Sequence, residues 1–189
     1  MLMLFYSIIF QRRDKSIDME VYRVTKDSPD WLIKAYDYAR TDAFVFGQDI
    51  PITLEYASDN PIDDEYKAVV LIHNNKPVAG CKITFPFEGV GKIGRVCVIR
   101  EYQKKGVGSK LIEEAEKWIN EAGIFRVVIN SQDRAQKFYE KLGYELVPQV
   151  DPRFYEDDSY AEENSIPHDY IPQKNDLGFS CVLVEKKIS

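Results

Sequence analysis

Between Arg95 and Asn130 the chain reads RVCVIREYQKKGVGSKLIEEAEKWINEAGIFRVVIN, and few backbone arrangements accommodate that order. The branched residues of GRVCVI predict a strand, and those of IFRVVIN (124–130) a second one. Between them Gly108 to about Ala122 reads as a helix. Leu111, Ile112, Ala115, Trp118 and Ile119 form one stripe, while Lys110, Glu113, Glu114, Glu116 and Lys117 fall outside it, and Gly123 supplies the stop. The first strand reaches the helix through QKKGVGSK (103–110), in which two glycines stand two apart among lysines. A helix start offers backbone N–H groups without intrahelical partners and the positive end of the dipole. Glycines let a ligand come close to the backbone, so this turn suits a phosphate.

Three phosphate-binding patterns compete for the turn. A nucleotide-triphosphate loop needs G-x-x-x-x-G-K-[ST], but Gln103 stands five before Gly108, and Ser109–Lys110 follow in reversed order. A dinucleotide fingerprint needs a third glycine where Leu111 stands, and no acidic residue ends a second strand at the expected distance. The third pattern, [QR]-x-x-G-x-[GA], is met by Gln103, Gly106 and Gly108. It is short, and its context gives it weight: a strand before it, a helix after it, then IFRVVIN and FYEKLGY.

The rest of the chain supplies strands and helices around this unit. EVYRVT (20–25) alternates as a strand does. A helix should follow, with Ser28 as N-cap, Pro29 at its first position, and Trp31, Ile33, Ala35, Tyr36, Ala39 and Ala43 facing inward. QDIPITLEYASDNPIDD (48–64) reads as a long loop. EYKAVVLIHN and KPVAGCKITFPF form two strands joined at Asn74 and Asn75, and the glycines of EGVGKIG separate them from GRVCVI. AQKFYEKL is a short helix stopped by Gly143, YELVP and LGFSCVLVEK (177–186) are strands, and the acidic, proline-containing stretch 149–176 is an insertion rich in loop.

With 189 residues the chain fits one domain, and a net charge of −6 argues against nucleic acid as its main partner. Cys81, Cys97 and Cys181 each sit in an apolar run, which suits buried reduced thiols in a cytoplasmic protein. His73 and His168 show no ligand spacing, so no metal is expected. MLMLFYSIIF lacks a basic stretch before it and a cleavage site after it, and is too short to span a bilayer, so no membrane association is expected. Residues 1–18 are read as an extension, with Met19 an alternative start, and 19–189 as the domain.

Residues 95–145, from RVCVI through FYEKLGYE, resemble the core of the GCN5-related N-acetyltransferase (GNAT) family without a gap. ARTDAFVFGQDIP (39–51) resembles the R-x-x-V-F-V-x-E-Q motif of that family's ElaA-type group, and EENSIPHDYI (162–171) its E-x-G-I-P-H segment. The likeness covers about residues 20–186. Gly47 stands where that group usually has Glu, and Gln132 where many acetyltransferases have Asn.

The resemblance implies an α/β (α+β) fold: one domain with a mixed, mostly antiparallel twisted sheet of six to seven strands flanked by helices. It implies transfer of an acetyl group from acetyl-CoA to an amine by direct attack. Val96, Cys97 and Val98 would pair with the pantetheine arm as an added strand would, and a backbone N–H there would bind the thioester carbonyl. Gln103, Lys104, Lys105, Gly106, Val107, Gly108 and Ser109 would hold the pyrophosphate, and Gln132 would also contact the coenzyme. Tyr139 resembles the family's general acid, which protonates the leaving thiolate. His168 and Glu55 are the candidate bases, with Glu101 a third. The acceptor is a small-molecule or peptide amine, which the acidic stretches 58–65 and 151–163 would attract if cationic. A homodimer is compatible with the family. The rival reading is a non-catalytic acyl-CoA-binding sensor or regulatory module. A protein-interaction domain without a ligand leaves the glycine turn without a purpose.

Overall fold

The computed structural model describes residues 17–56, 64–147 and 181–189. In chain order these form β1 (Glu20–Thr25), α1 (Asp30–Arg40), α2 (Ile52–Glu55), β2 (Lys67–His73), β3 (Lys76–Phe87), β4 (Val90–Val98), α3 (Val107–Glu121), β5 (Arg126–Gln132), α4 (Gln136–Lys141), β6 (Glu145–Leu146) and β7 (Cys181–Lys187). One seven-stranded sheet runs in the order β1-β2-β3-β4-β5-β7-β6. Every pairing is antiparallel except β4 with β5. That is the mixed, mostly antiparallel sheet flanked by helices expected above.

The core follows from side-chain pattern. In β2, Ala68 to Ile72 are all buried, as a strand covered on both faces requires. Both α1 and α3 pack on β2, β3 and β4. Helix α3 turns Val107, Leu111, Ile112, Ala115 and Ile119 inward, and burial of each Leu or Ile contributes about 1.5–3 kcal/mol. The β2–β3 hairpin closes at Asn74 and Asn75, both with positive φ, as a two-residue turn matched to strand twist demands.

Strand β4 begins at Val90, four residues before the expected start. The glycines there read as breakers, yet Gly91 is a packing residue: a Cβ on it would stand 2.6 Å from Ile119 Cγ2 of α3. A bulge follows. Lys82 and Gly80 of β3 face Gly94 and Cys97, so β4 carries one extra residue there, and Arg95 takes φ +48. Parallel pairing with β5 covers only Val90–Ile93 against Arg126–Ile129. Beyond it the two strands part, β4 running on to Val98 and β5 to Gln132.

Some expectations change. Helix α1 is capped by Pro29, while the Ser28 side chain accepts a hydrogen bond from the Thr25 N–H at 2.9 Å. Trp31 is 52% exposed and meets Tyr22 edge-on, Ile33 is half-buried, and Leu32 and Arg40 occupy inward places instead. The stretch read as a loop from Gln48 contains α2, preceded by a wide helical segment at Thr41–Phe46. Cys81 and Cys97 are buried free thiols, but Cys181 is only half-buried. His168, the insertion 149–176 and residues 1–16 lie outside the described residues, as does 177–180 of the expected last strand.

Candidate functional site

The parting of β4 from β5 opens a cleft of about 760 Å³. Gly94 to Val96 line one side and Ile129 to Gln132 the other. The segment from Asp42 to Ile50, with Glu55, forms a third wall, and Lys92, Arg100, Gln103, Lys104, Arg134, Ala135, Tyr139 and Cys181 complete the lining.

Beyond β4 the chain makes a 3₁₀ turn, Arg100–Tyr102, and then the glycine turn. Lys104 and Gly106 both adopt left-handed backbone, φ +58 and +80. Together they bend the chain from the cleft-lining Gln103 and Lys104 into α3. Lys110 N–H to Gly106 C=O, 3.1 Å, is the first full helical hydrogen bond, so the N–H groups of Val107, Gly108 and Ser109 precede the helical ladder. The Gln103 side-chain amide donates to Val98 C=O at 3.0 Å and ties the turn to the end of β4. Two braces come from the β2–β3 hairpin. His73 Nδ1 lies 2.7 Å from Tyr102 Oη, and Lys76 pairs with Glu101. Lys105 stacks over the Tyr102 ring at 5.5 Å, away from the cleft lining. Gly108 meets the protein itself: a Cβ there would stand 3.2 Å from Phe138 Cζ of α4.

Tyr139 is buried, with its ring edge-on to Phe138 and Tyr144 at centroid distances of 4.9 and 5.8 Å. It lines the cleft, and no described residue pairs with its hydroxyl. Burial, and secondarily the Cys81 thiol, push its phenol well above the ordinary range. The group is therefore a proton donor held in its protonated form. Cys97 turns its thiol to Gly80 C=O, 3.1 Å away, so only its backbone can serve the cleft; burial pushes that thiol far up.

Glu55 is 2% exposed and reaches the cleft wall. Its carboxylate accepts from Arg40 Nε, its backbone carbonyl accepts from Arg40 Nη2, and Arg95 Nη1 lies 3.8 Å from Oε2. Arg40 also stacks on the Tyr56 ring at 4.4 Å, and the Tyr56 hydroxyl lies 2.8 Å from Thr41 Oγ1 and donates to Asp37 C=O. These contacts bind α1, the segment after it and α2 into one wall. Glu101 faces Lys76, whose hydrogen bond holds its carboxyl below the usual range, and it is not among the cleft residues.

At the outer end of β5, Gln132 Nε2 donates to Gln48 Oε1 at 3.0 Å, and Arg134 Nε donates to Gln132 Oε1 at 2.8 Å. Arg134 Nη2 also donates to Gln48 Oε1. The structure thus brings Val96, Gln103, Lys104, Gln132, Glu55 and Tyr139 to one cleft, while Cys97, Val98, Lys105 and Gly106 to Ser109 are not among the residues that line it. Sequence reasoning missed Arg40, Arg95 and Arg134. Arg40 and Gln48 stood inside the quoted ARTDAFVFGQDIP segment, so the signal was present; Arg134 had none. Among the described residues no group of three or more His, Cys, Asp or Glu side chains gathers as a metal site would need, and no helix is long and apolar enough to cross a membrane.

Residues 30–144 match the model of the Acetyltransferase (GNAT) family. The chain is 29% identical over 110 residues to the uncharacterized N-acetyltransferase YjcF of Bacillus subtilis, a match spanning 58% of this chain and 76% of that one. The crystal structure of Escherichia coli ElaA superposes with a TM-score of 0.66 at 17% identity, covering 89% of this chain and 99% of that one. A GNAT family acetyltransferase from Elizabethkingia anophelis with acetyl-CoA bound superposes with a TM-score of 0.57 at 13% identity, covering 90% and 98%. At these identities the superpositions show a shared fold.

Proposed function

The chain belongs to the acetyltransferase (GNAT) family, and on that premise we propose that it moves an acetyl group from acetyl-coenzyme A to an amine by direct attack, with Tyr139 as general acid. The observation that carries this reading is one cleft. It combines a strand without a ladder partner beyond Ile93 on its β5 side, Gln103 and Lys104 of the left-handed turn that leads into α3, and a buried, protonated phenol. An acetyl-coenzyme A complex of a protein with the same fold supports the choice of co-substrate.

Acetyl-CoA is here a substrate. Its pyrophosphate would take the N–H groups of residues 104–109 together with the α3 dipole. Its pantetheine arm would hydrogen-bond the free edge of Val96–Val98, with one N–H polarising the thioester carbonyl. The acceptor enters as an ammonium and loses one proton to solvent or a base. Its nitrogen then attacks the carbonyl carbon; as the C–N bond forms and the C–S bond breaks, sulfur leaves as a thiol with the Tyr139 proton. The second nitrogen proton goes to solvent, from which Tyr139 is reprotonated. A thiol of reference pKa about 8.5 is a leaving group that a phenol can assist. Glu55 contributes by position in this scheme: its carboxylate anchors Arg40 and faces Arg95. His168 remains the proposed base.

One observation favours a second reading, a coenzyme-binding sensor without turnover. The cleft wall carries Gly47 where the ElaA-type group usually has a carboxylate. Thiol release from acetyl-CoA with a panel of amines separates the two. Turnover with at least one amine, lowered in Tyr139→Phe with the coenzyme KM unchanged, supports the enzyme; coenzyme binding without release from any amine supports the sensor.

A further inference from the structure

The Gln48, Gln132 and Arg134 side chains close a ring of three hydrogen bonds at the cleft. A guanidinium only donates, so both glutamine oxygens must face Arg134, which leaves the Gln132 amide N–H to reach Gln48. The ring therefore has one consistent orientation. Of the five guanidinium N–H groups, Nε–H and one Nη2–H are used, leaving three. Both partners are neutral amides. Among the described residues no carboxylate pairs with the Arg134 guanidinium, and the Asp133 carboxylate accepts instead from the Arg134 backbone N–H at 2.6 Å. A charged fork is thus held on the wall of the cleft, its charge unspent among the described residues.

Its location selects the ligand. In the proposed reading, on which this inference rests, the coenzyme phosphates occupy the α3 start and the thioester lies further along β4. Gln48 belongs to the opposite wall, the segment after α1, fastened there by the Ile50 N–H to Phe44 C=O hydrogen bond of 3.2 Å. The Arg134 guanidinium is drawn to that wall. We propose that Arg134, fixed by Gln48 and Gln132, binds the carboxylate of the acceptor, and that the acceptor is an amino acid. A fork with three remaining donors matches the two oxygens of a carboxylate, and its fixation lowers the ordering cost of binding.

The test uses the whole chain, saturating acetyl-CoA, and each of the twenty α-amino acids against its α-carboxamide, with coenzyme affinity measured separately by calorimetry. The wild type is expected to favour at least one carboxylate over its amide. Arg134→Gln is expected to lower kcat/KM for that carboxylate roughly 10- to 100-fold, the range for hydrogen bonds to a charged group, with the amide and the coenzyme affinity unchanged. Gln48→Ala should give a smaller loss of the same selectivity. Arg134 is exposed, so its replacement leaves the core intact, which unchanged coenzyme affinity verifies. Three outcomes overturn the inference: carboxamides accepted as well as carboxylates; Arg134→Gln weakening only the coenzyme, which assigns the fork to a phosphate; or coenzyme bound and no amino acid acetylated. Failure to bind the coenzyme instead refutes the underlying reading of the cleft.

Discussion

Replacement of Gly106 by alanine isolates the glycine turn from everything packed around it. Gly106 has φ +80, and a Cβ there meets no atom within 4 Å, so alanine adds backbone strain without a clash. An L-residue in left-handed backbone costs about 1–2 kcal/mol. If relaxation of the turn relieves that strain in the free protein, coenzyme binding must repay it, and the KM for acetyl-CoA should rise roughly 5- to 30-fold. Asparagine tolerates this backbone region better, so Gly106→Asn should fall between wild type and Gly106→Ala. Gly108 is the less clean probe, because its Cβ would stand 3.2 Å from Phe138 Cζ. Gly108→Val would overpack the α3–α4 contact, costing about 1–3 kcal/mol of stability beside any effect on the coenzyme. Initial rates against acetyl-CoA, calorimetry with coenzyme A and thermal melts separate these terms. A Gly106→Ala protein with wild-type coenzyme affinity would refute the role of the left-handed turn.

Three further outcomes are expected. Arg40→Ala, which among the described residues leaves the buried Glu55 carboxylate only its longer contact with Arg95, should cost about 3 kcal/mol, read as a lower Tm, and an Arg40→Met/Glu55→Leu double variant should recover part of it. Burial pushes the Cys81 thiol up to about 12 and Cys97 higher still, so neither is a thiolate near pH 8. Iodoacetamide followed by peptide mass spectrometry should label both only after unfolding, and rapid native labelling of either would contradict their burial. The Tyr139 phenol is raised above its ordinary value near 10, so its acid form persists where an exposed phenol starts to ionise. The kcat should therefore show no loss attributable to Tyr139 up to about pH 10, and a basic limb near pH 9 that disappears in Tyr139→Phe would contradict this.

The turn and helix of the site were legible because their signals are local. Gly106 and Gly108 mark a turn wherever they occur, and Leu111, Ile112, Ala115 and Ile119 keep helical spacing; all four are buried in α3. The sheet was legible as elements, since β2 and β3 alternate or saturate in branched residues. Long-range features were not. Gly91 looked like a breaker, and only Ile119 pressed against it explains a strand there. Trp31 read as core because it is large and apolar, whereas the smaller Leu32 fits the inward position. Glu55 read as a loop carboxylate free to act as a base; its partner Arg40 lies 15 residues away, and nothing local announces the pairing. Arg134 gains its meaning from Gln48, 86 residues earlier.

The most direct test of the proposed cleft is a crystal structure of the chain with coenzyme A bound. The pyrophosphate is expected against the N–H groups of residues 104–109, with the pantetheine arm in the gap between Val96–Val98 and Asn130–Gln132 and its sulfur within reach of the Tyr139 hydroxyl. A coenzyme seated elsewhere, or a sulfur remote from Tyr139, would contradict it.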